Sequence, residues 1–219
     1  LGVQYLGPVW TIEHLVEGES EVVIEWTMAF DHPRTGVRCL DRGLVRRCPR
    51  ETDIEAAYAA VADELHLENE DARHATFAGT LGLMQAAGDP TGRLLDVGCY
   101  VGTFLSIARE RGWEVQGLEP SRWAAEVARS RYGLDVVTGS LERATWPEGH
   151  FHTITLWDVL EHLSDPLSGL QAAGRWLAPG GSLWFSTMDI RAALPRLLGR
   201  RWPHYVRMHL WYFSRDTLA

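Results

Sequence analysis

Long apolar runs, cysteine and net positive charge are all scarce in this chain, and each scarcity narrows what it can be. No stretch approaches the roughly 18 consecutive apolar residues of a membrane-spanning helix. Leu1 to Trp10 lacks the basic start and unbroken apolar core of a secretory leader. The three cysteines, Cys39, Cys48 and Cys99, offer no disulfide framework, so a reducing cytoplasm is the expected compartment. Lys and Arg number 21 against 29 Asp and Glu, a net charge of −8. That balance argues against nucleic acid or an anionic membrane as partner.

What is present suits a folded enzyme-sized unit. The 219 residues, 46% of them hydrophobic, can build one main domain with a sizeable core and an accessory element. The organising stretch is Leu94 to Leu105, Leu-Leu-Asp-Val-Gly-Cys-Tyr-Val-Gly-Thr-Phe-Leu. An apolar run ending in Asp96, two glycines four apart and a helical pattern through Ala108 read as a buried strand turning sharply into a helix. Gly98 and Gly102 admit backbone conformations closed to residues with a Cβ. The turn is therefore a small-molecule site at the carboxyl end of the first strand. A dinucleotide fingerprint would read Gly-x-Gly-x-x-Gly, and the spacing here is Gly-x-x-x-Gly.

Leu94 to Phe104 resembles the first motif of the class I S-adenosylmethionine-dependent methyltransferases, an acidic residue followed by Gly-x-Gly-x-Gly. The matching positions are Asp96, Gly98, Tyr100 and Gly102, with Tyr100 in place of the middle glycine. The resemblance implies an α/β fold, a Rossmann-like doubly wound sheet, with S-adenosyl-L-methionine as cofactor. It extends along the chain. Trp113 to Leu118 reads as strand two, and Glu119, 23 residues after Asp96, stands at its tip before Pro120 and Ser121. A carboxylate there can accept hydrogen bonds from both ribose hydroxyls. Arg122 to Tyr132 reads as helix two and Leu134 to Thr138 as strand three. The turn that follows, with Ser140 and Leu141, flanks the adenine in the family.

Phe151 to Trp157 reads as strand four and runs into Asp158-Val-Leu-Glu161-His162-Leu-Ser-Asp-Pro. If this turn is helical, Asp158, Glu161 and His162 stand at i, i+3 and i+4 and converge on one side. His162 could then act as general base, oriented by Glu161 or Asp158. The same three groups could hold a divalent cation, or they could be structural. The expectation carried forward is a catalytic set of His162, Glu161 and Asp158 without a metal. The cofactor set is Asp96, Gly98, Tyr100, Gly102, Glu119, Pro120, Ser140, Leu141 and Trp157.

Leu167 to Leu177 reads as a helix stopped by Pro179-Gly180-Gly181, and Ser182 to Thr187 as strand five. Beyond it, Trp202-Pro-His204-Tyr205 and His209-Leu-Trp-Tyr212-Phe-Ser214 line or cover the acceptor pocket in the resembling family, which makes His204 and His209 further candidates. The family would continue into two more strands, and the final strands are missing from the sequence in hand.

Three segments are expected. Residues 1–50 form an N-terminal β-hairpin, with Glu21 to Phe30 and Val37 to Val45 flanking a turn. It resembles the zinc ribbon that opens many such methyltransferases, except that Arg42 replaces the second cysteine after Cys39, so no zinc is expected. It also faintly resembles the hairpin of cone-shaped α+β domains, or it serves as a homodimer edge. Residues 51–90 form a helical lid, with Ile54 to Leu65 and Ala72 to Leu83 at helical spacing and Tyr58, Arg73 and Phe77 as lid candidates. Residues 91–219 form the catalytic domain.

The function expected is methyl transfer to oxygen, nitrogen or carbon of a small molecule. A non-catalytic cofactor-binding scaffold and a nicotinamide-dependent oxidoreductase are the alternatives.

Overall fold

A computed structural model describes the backbone of residues 4–15, 22–31, 38–41, 45–46, 70–89, 91–198, 201–204, 206 and 208–218, and the side chains among these from residue 73 onward, 215 and 216 excepted. The N-terminal strands β1 (Gln4–Leu15), β2 (Val22–Asp31) and β3 (Arg38–Asp41) form an antiparallel sheet. The expected hairpin is its second half, with Phe30 opposite Cys39. Cys48, Tyr58 and the Ile54 to Leu65 helix lie outside the described residues.

The main unit is an alternation of helices and strands. In order come α1 (Glu70–Ala86), β5 (Arg93–Val97), α2 (Thr103–Glu110), β6 (Glu114–Glu119), α3 (Arg122–Tyr132) and β7 (Val136–Thr138). They are followed by β8 (Phe151–Trp157), a 3-10 turn (Leu160–His162), α4 (Pro166–Trp176) and β9 (Leu177–Ser186). The five strands pair in parallel in the order β7-β6-β5-β8-β9. The order reverses between β5 and β8, and in open α/β sheets ligands bind in the crevice outside the carboxyl ends at that point.

Being central, β5 is covered on both faces, which is why Leu94, Leu95, Asp96 and Val97 are all buried and the run is apolar without alternation. Leu95, Ile154, Leu156 and Trp176 pack on one side of the sheet, and Leu94, Phe104, Leu105 and Trp113 on the other. On that second side α1 contributes Leu81 and Met84, both fully buried. Phe77 meets Phe104 edge to face at 5.4 Å and belongs to this packing rather than to the cavity described below.

Helix ends follow the local sequence. Ser121 caps α3 by accepting the Ala124 N–H at 3.1 Å. Asp165 caps α4 through the Ser168 N–H at 3.1 Å, with Pro166 opening the helix. Pro179-Gly180-Gly181 does not end strand five's predecessor as cleanly as the sequence suggests. Leu177 already pairs with Phe151, residues 178–181 loop out, and pairing resumes at Ser182 opposite Thr153.

Past β9 come α5 (Ala193–Leu198), β10 (Trp211–Tyr212) and α6 (Arg215–Leu218). β10 pairs with β4 (Val45–Arg46). No described helix is long and apolar enough to cross a membrane.

Candidate functional site

A cavity of about 300 Å³ opens where β5, β6 and β8 end. Its floor is the loop after β5. Gly98 has φ 71°, Tyr100 φ 51° and Gly102 φ 82°, so the chain turns through three left-handed residues in five. A Cβ on Gly98 would lie 2.6 Å from Val159 Cγ2, which is why the position needs glycine. Tyr100 holds its left-handed conformation with a Cβ in place, and its N–H is anchored on Glu119 Oε2 at 2.8 Å. Gly98 and Cys99 donate to Leu118 O at 2.7 and 3.2 Å, and Gly102 donates to Cys99 O at 2.9 Å. With these N–H groups committed inside the protein, the loop offers a poor cradle for a pyrophosphate, which disfavours the dinucleotide alternative.

Glu119 is nearly fully buried and lines the cavity. Its second oxygen accepts the Ser121 N–H at 2.7 Å. Each carboxylate oxygen keeps a further lone pair for a ligand hydroxyl. Burial raises its pKa above the ordinary glutamate value, against the lowering effect of the two N–H groups. Ser140 Oγ and Trp157 Nε1 are buried without a hydrogen-bond partner, and both residues line the same cavity. Buried polar atoms are normally paired, so these two are groups a ligand can satisfy. Pro120 and Leu141 complete the wall.

Two residues of the expected cofactor set stand elsewhere. Asp96 does not line the cavity. It lies beneath, accepting a hydrogen bond from the Thr155 hydroxyl at 2.6 Å. Burial pushes its pKa up to about 8, with the Thr155 bond opposing and the Glu119 charge adding to the rise. Gly102 caps α2, and a Cβ there would meet Leu134 Cδ1 at 2.5 Å and Ala128 Cβ at 3.0 Å. Its lack of a side chain lets α2 approach α3. The sequence reading missed the apolar wall of Val97, Leu118, Val159 and Leu163. A signal existed, since Val97 and Leu118 are the residues before Gly98 and Glu119 at the strand ends.

The expected convergence of Asp158, Glu161 and His162 on one helical face does not form. Asp158 precedes the turn with φ 53°, held by its N–H to Ser186 O at 3.1 Å and by the Ser186 hydroxyl on Oδ1 at 2.8 Å. Only Leu160–His162 winds, and as a 3-10 turn. Asp158 and His162 therefore face the cavity, while Glu161 turns inward and accepts from the Thr187 hydroxyl at 2.9 Å. Burial pushes Glu161 up to about 7 and His162 down to about 4. At neutral pH the His162 imidazole is uncharged with low proton affinity, better suited to orienting an acceptor than to removing its proton.

The segment after β9 closes this end. Leu210 N–H donates to Glu161 O at 2.7 Å, Trp211 Nε1 to Leu163 O at 2.6 Å, and His162 Nδ1 lies 3.0 Å from Met208 O. His209 is buried with its ring centroid 4.7 Å from that of His162, whereas His204 is exposed.

This sheet order, with an acidic strand tip and a glycine turn at the reversal point, is the architecture of a class I methyltransferase. The chain belongs to the methyltransferase domain family, whose profile matches residues 68–219. Among curated proteins it is similar to the ubiquinone biosynthesis O-methyltransferase of Alkalilimnicola ehrlichii, 36% identical over 103 residues, which are 44% of this chain and 42% of that protein. The corresponding enzyme of Aromatoleum aromaticum is 34% identical over 115 residues, 49% of each chain. The matched stretch thus spans less than half the length of these relatives.

Among solved structures, an S-adenosylmethionine-dependent methyltransferase from Thermotoga maritima superposes with TM-score 0.53 at 24% identity, covering 70% of this chain and 74% of its own. One from Leishmania major gives 0.54 at 21%, covering 63% and 61%. These two bear out the fold. S-adenosylmethionine is the cofactor of the family. The residues present fit it, with Glu119 for the ribose hydroxyls, Ser140 Oγ and Trp157 Nε1 as polar atoms awaiting partners, and bare backbone at Gly98 for close approach.

Proposed function

We propose that this chain transfers the methyl group of S-adenosylmethionine to an oxygen of a small molecule held at the Asp158–His162 end of the cavity. The observation that carries the reading is the grouping around one cavity of the Glu119 carboxylate, two unpartnered buried polar atoms and apolar walls. That is the recognition set for a nucleoside with an adenine ring. The choice of oxygen rests on the O-methyltransferases to which the chain is similar.

The sulfonium methyl is already activated when the cofactor is bound, so the protein's task is alignment. Glu119 fixes the ribose, the Tyr100 loop fixes the β6 tip, and Ser140 with Leu141 borders the base. Asp158 and His162 orient the acceptor from the opposite wall. The sulfonium carries a positive charge, and the nearby Asp158 and Glu119 carboxylates favour it electrostatically.

Calorimetric titration with S-adenosylhomocysteine, and separately with NADH, tests the cofactor. Binding of the first alone supports the reading, and binding of neither by folded protein overturns it. A screen of catechols and other small hydroxylated aromatics with labelled S-adenosylmethionine then tests the acceptor. Binding without turnover on any acceptor would favour a cofactor-binding scaffold.

A further inference from the structure

We propose that Glu161, His162 and His209 form a seat for a primary ammonium group, and that the methyl acceptor carries this group as its anchor. One oxygen of Glu161 and one ring nitrogen from each histidine all lie within 4.8 Å of one another. An ammonium donates three hydrogen bonds of about 2.9 Å in tetrahedral directions, which sets its acceptors about 4.7 Å apart. Ligands of a metal ion at about 2.1 Å stand only about 3.4 Å apart. A water molecule has two hydrogens and leaves the third acceptor unserved. His209 joins the seat through tertiary contacts alone, 47 positions after His162 in the chain.

The three groups are prepared for a guest that only donates. His162 Nδ1 lies 3.0 Å from Met208 O, and His209 Nδ1 lies 2.8 Å from His204 O. A carbonyl only accepts, so Nδ1 carries the hydrogen in each ring and the lone pair is on Nε2. Burial holds the pKa of both imidazoles below the ordinary histidine value, so at neutral pH neither repels a cation.

Glu161 is the independent sign of a missing guest. It is 1% exposed, its Oε2 accepts from the Thr187 hydroxyl, and its Oε1 is buried with no partner. An unpaired buried carboxylate oxygen is costly, and an ammonium N–H satisfies both its charge and its lone pair. The Asp158 carboxylate acts on Glu161, His162 and His209 alike, adding negative potential where the cation would sit.

His162 also lines the cavity together with Asp158, so the seat adjoins the acceptor end. A protonated amine has no lone pair and cannot attack the sulfonium carbon. The ammonium therefore anchors, and the methyl goes to an oxygen elsewhere on the same molecule. The acceptor class is a small hydroxyl compound with a primary amine, such as an amino sugar or an aminoalkyl phenol. Ammonium binding stands by itself, whereas its assignment to the acceptor rests on the methyl-transfer reading.

The test uses the full chain with a chelator present, followed by NMR of the histidine ring nitrogens at pH 7. Ammonium and methylammonium chloride should shift two histidine rings saturably, and the signals missing in His162→Gln and His209→Ala identify them. Tetramethylammonium, a cation without an N–H, should shift neither. Glu161→Gln should weaken methylammonium binding at least tenfold while S-adenosylhomocysteine still binds, which also shows that the variant is folded. On protein loaded with S-adenosylhomocysteine, glucosamine should bind at least tenfold tighter than glucose, or tyramine than 4-ethylphenol.

Absence of any ammonium shift in the wild-type chain overturns the proposal, with no variant needed. An equal shift with tetramethylammonium also overturns it, as does unchanged affinity in folded Glu161→Gln. Equal affinity within both matched pairs overturns the assignment to the acceptor. Ammonium binding without S-adenosylhomocysteine binding would sink the methyl-transfer reading and leave the ammonium seat standing.

Discussion

Glu119 at the tip of β6 accepts the Tyr100 N–H at 2.8 Å across the mouth of the cavity. The same carboxylate takes the Ser121 N–H, so one side chain ties together the loop after β5, the strand end and the start of α3. Glu119→Ala should therefore lower S-adenosylhomocysteine affinity at least tenfold, a loss of about 1.4 kcal/mol or more. It should also lower the melting temperature, because two backbone donors lose their acceptor. Calorimetry and a thermal melt on the same preparation would read both.

Ser140 separates binding from stability. Its hydroxyl is buried and unpartnered in the protein alone, so Ser140→Ala leaves no protein group newly unsatisfied. Stability should stay unchanged or rise slightly, while cofactor affinity falls by about fivefold, the loss of one ordinary hydrogen bond of about 1 kcal/mol. A fall in melting temperature of several degrees would contradict this assignment.

The two glycines of the motif should fail differently. Gly98→Ala places a Cβ against Val159 Cγ2 at φ 71°, within the cavity wall, and should damage both stability and cofactor binding. Adding Val159→Ala relieves the clash but not the left-handed strain of about 1–2 kcal/mol, so urea midpoints should recover in part. Gly102→Ala drives a Cβ into Leu134 and Ala128 at the α2–α3 contact. It should destabilise the fold by about 1–3 kcal/mol, with affinity for S-adenosylhomocysteine well below the melting temperature changed less than threefold.

Asp96 sets a pH dependence. Burial holds its pKa at about 8 against an ordinary 3.8, so the folded chain keeps a proton that the unfolded chain releases. Its contribution to stability is fully present below about pH 4 and is lost as pH rises toward 8. The four-unit difference bounds the effect at about 6 kcal/mol. Asp96→Asn removes this titration. Urea midpoints of the cofactor-free chain at pH 5 and pH 8 should fall more for the wild type than for the variant, and equal slopes would refute the buried-proton account.

Local pattern in the sequence determined the strand and helix alternation, the glycine turn, the acidic tip at Glu119 and the caps at Ser121 and Asp165. Each depends on a few neighbouring residues and on backbone rules that act within one turn. Register, side-chain direction and long-range meeting were decided only by the tertiary structure. Asp96 sank beneath the cavity because β5 is covered on both faces, and Gly102 went to helix packing because Leu134 and Ala128 leave no room for a Cβ there. The run from Asp158 to His162 wound as a short 3-10 turn, since Asp158 is held by Ser186 and the turn by the segment bearing His209. That pairing, which sends Glu161 inward toward two imidazoles, spans almost fifty residues of chain, a separation at which no local periodicity carries information.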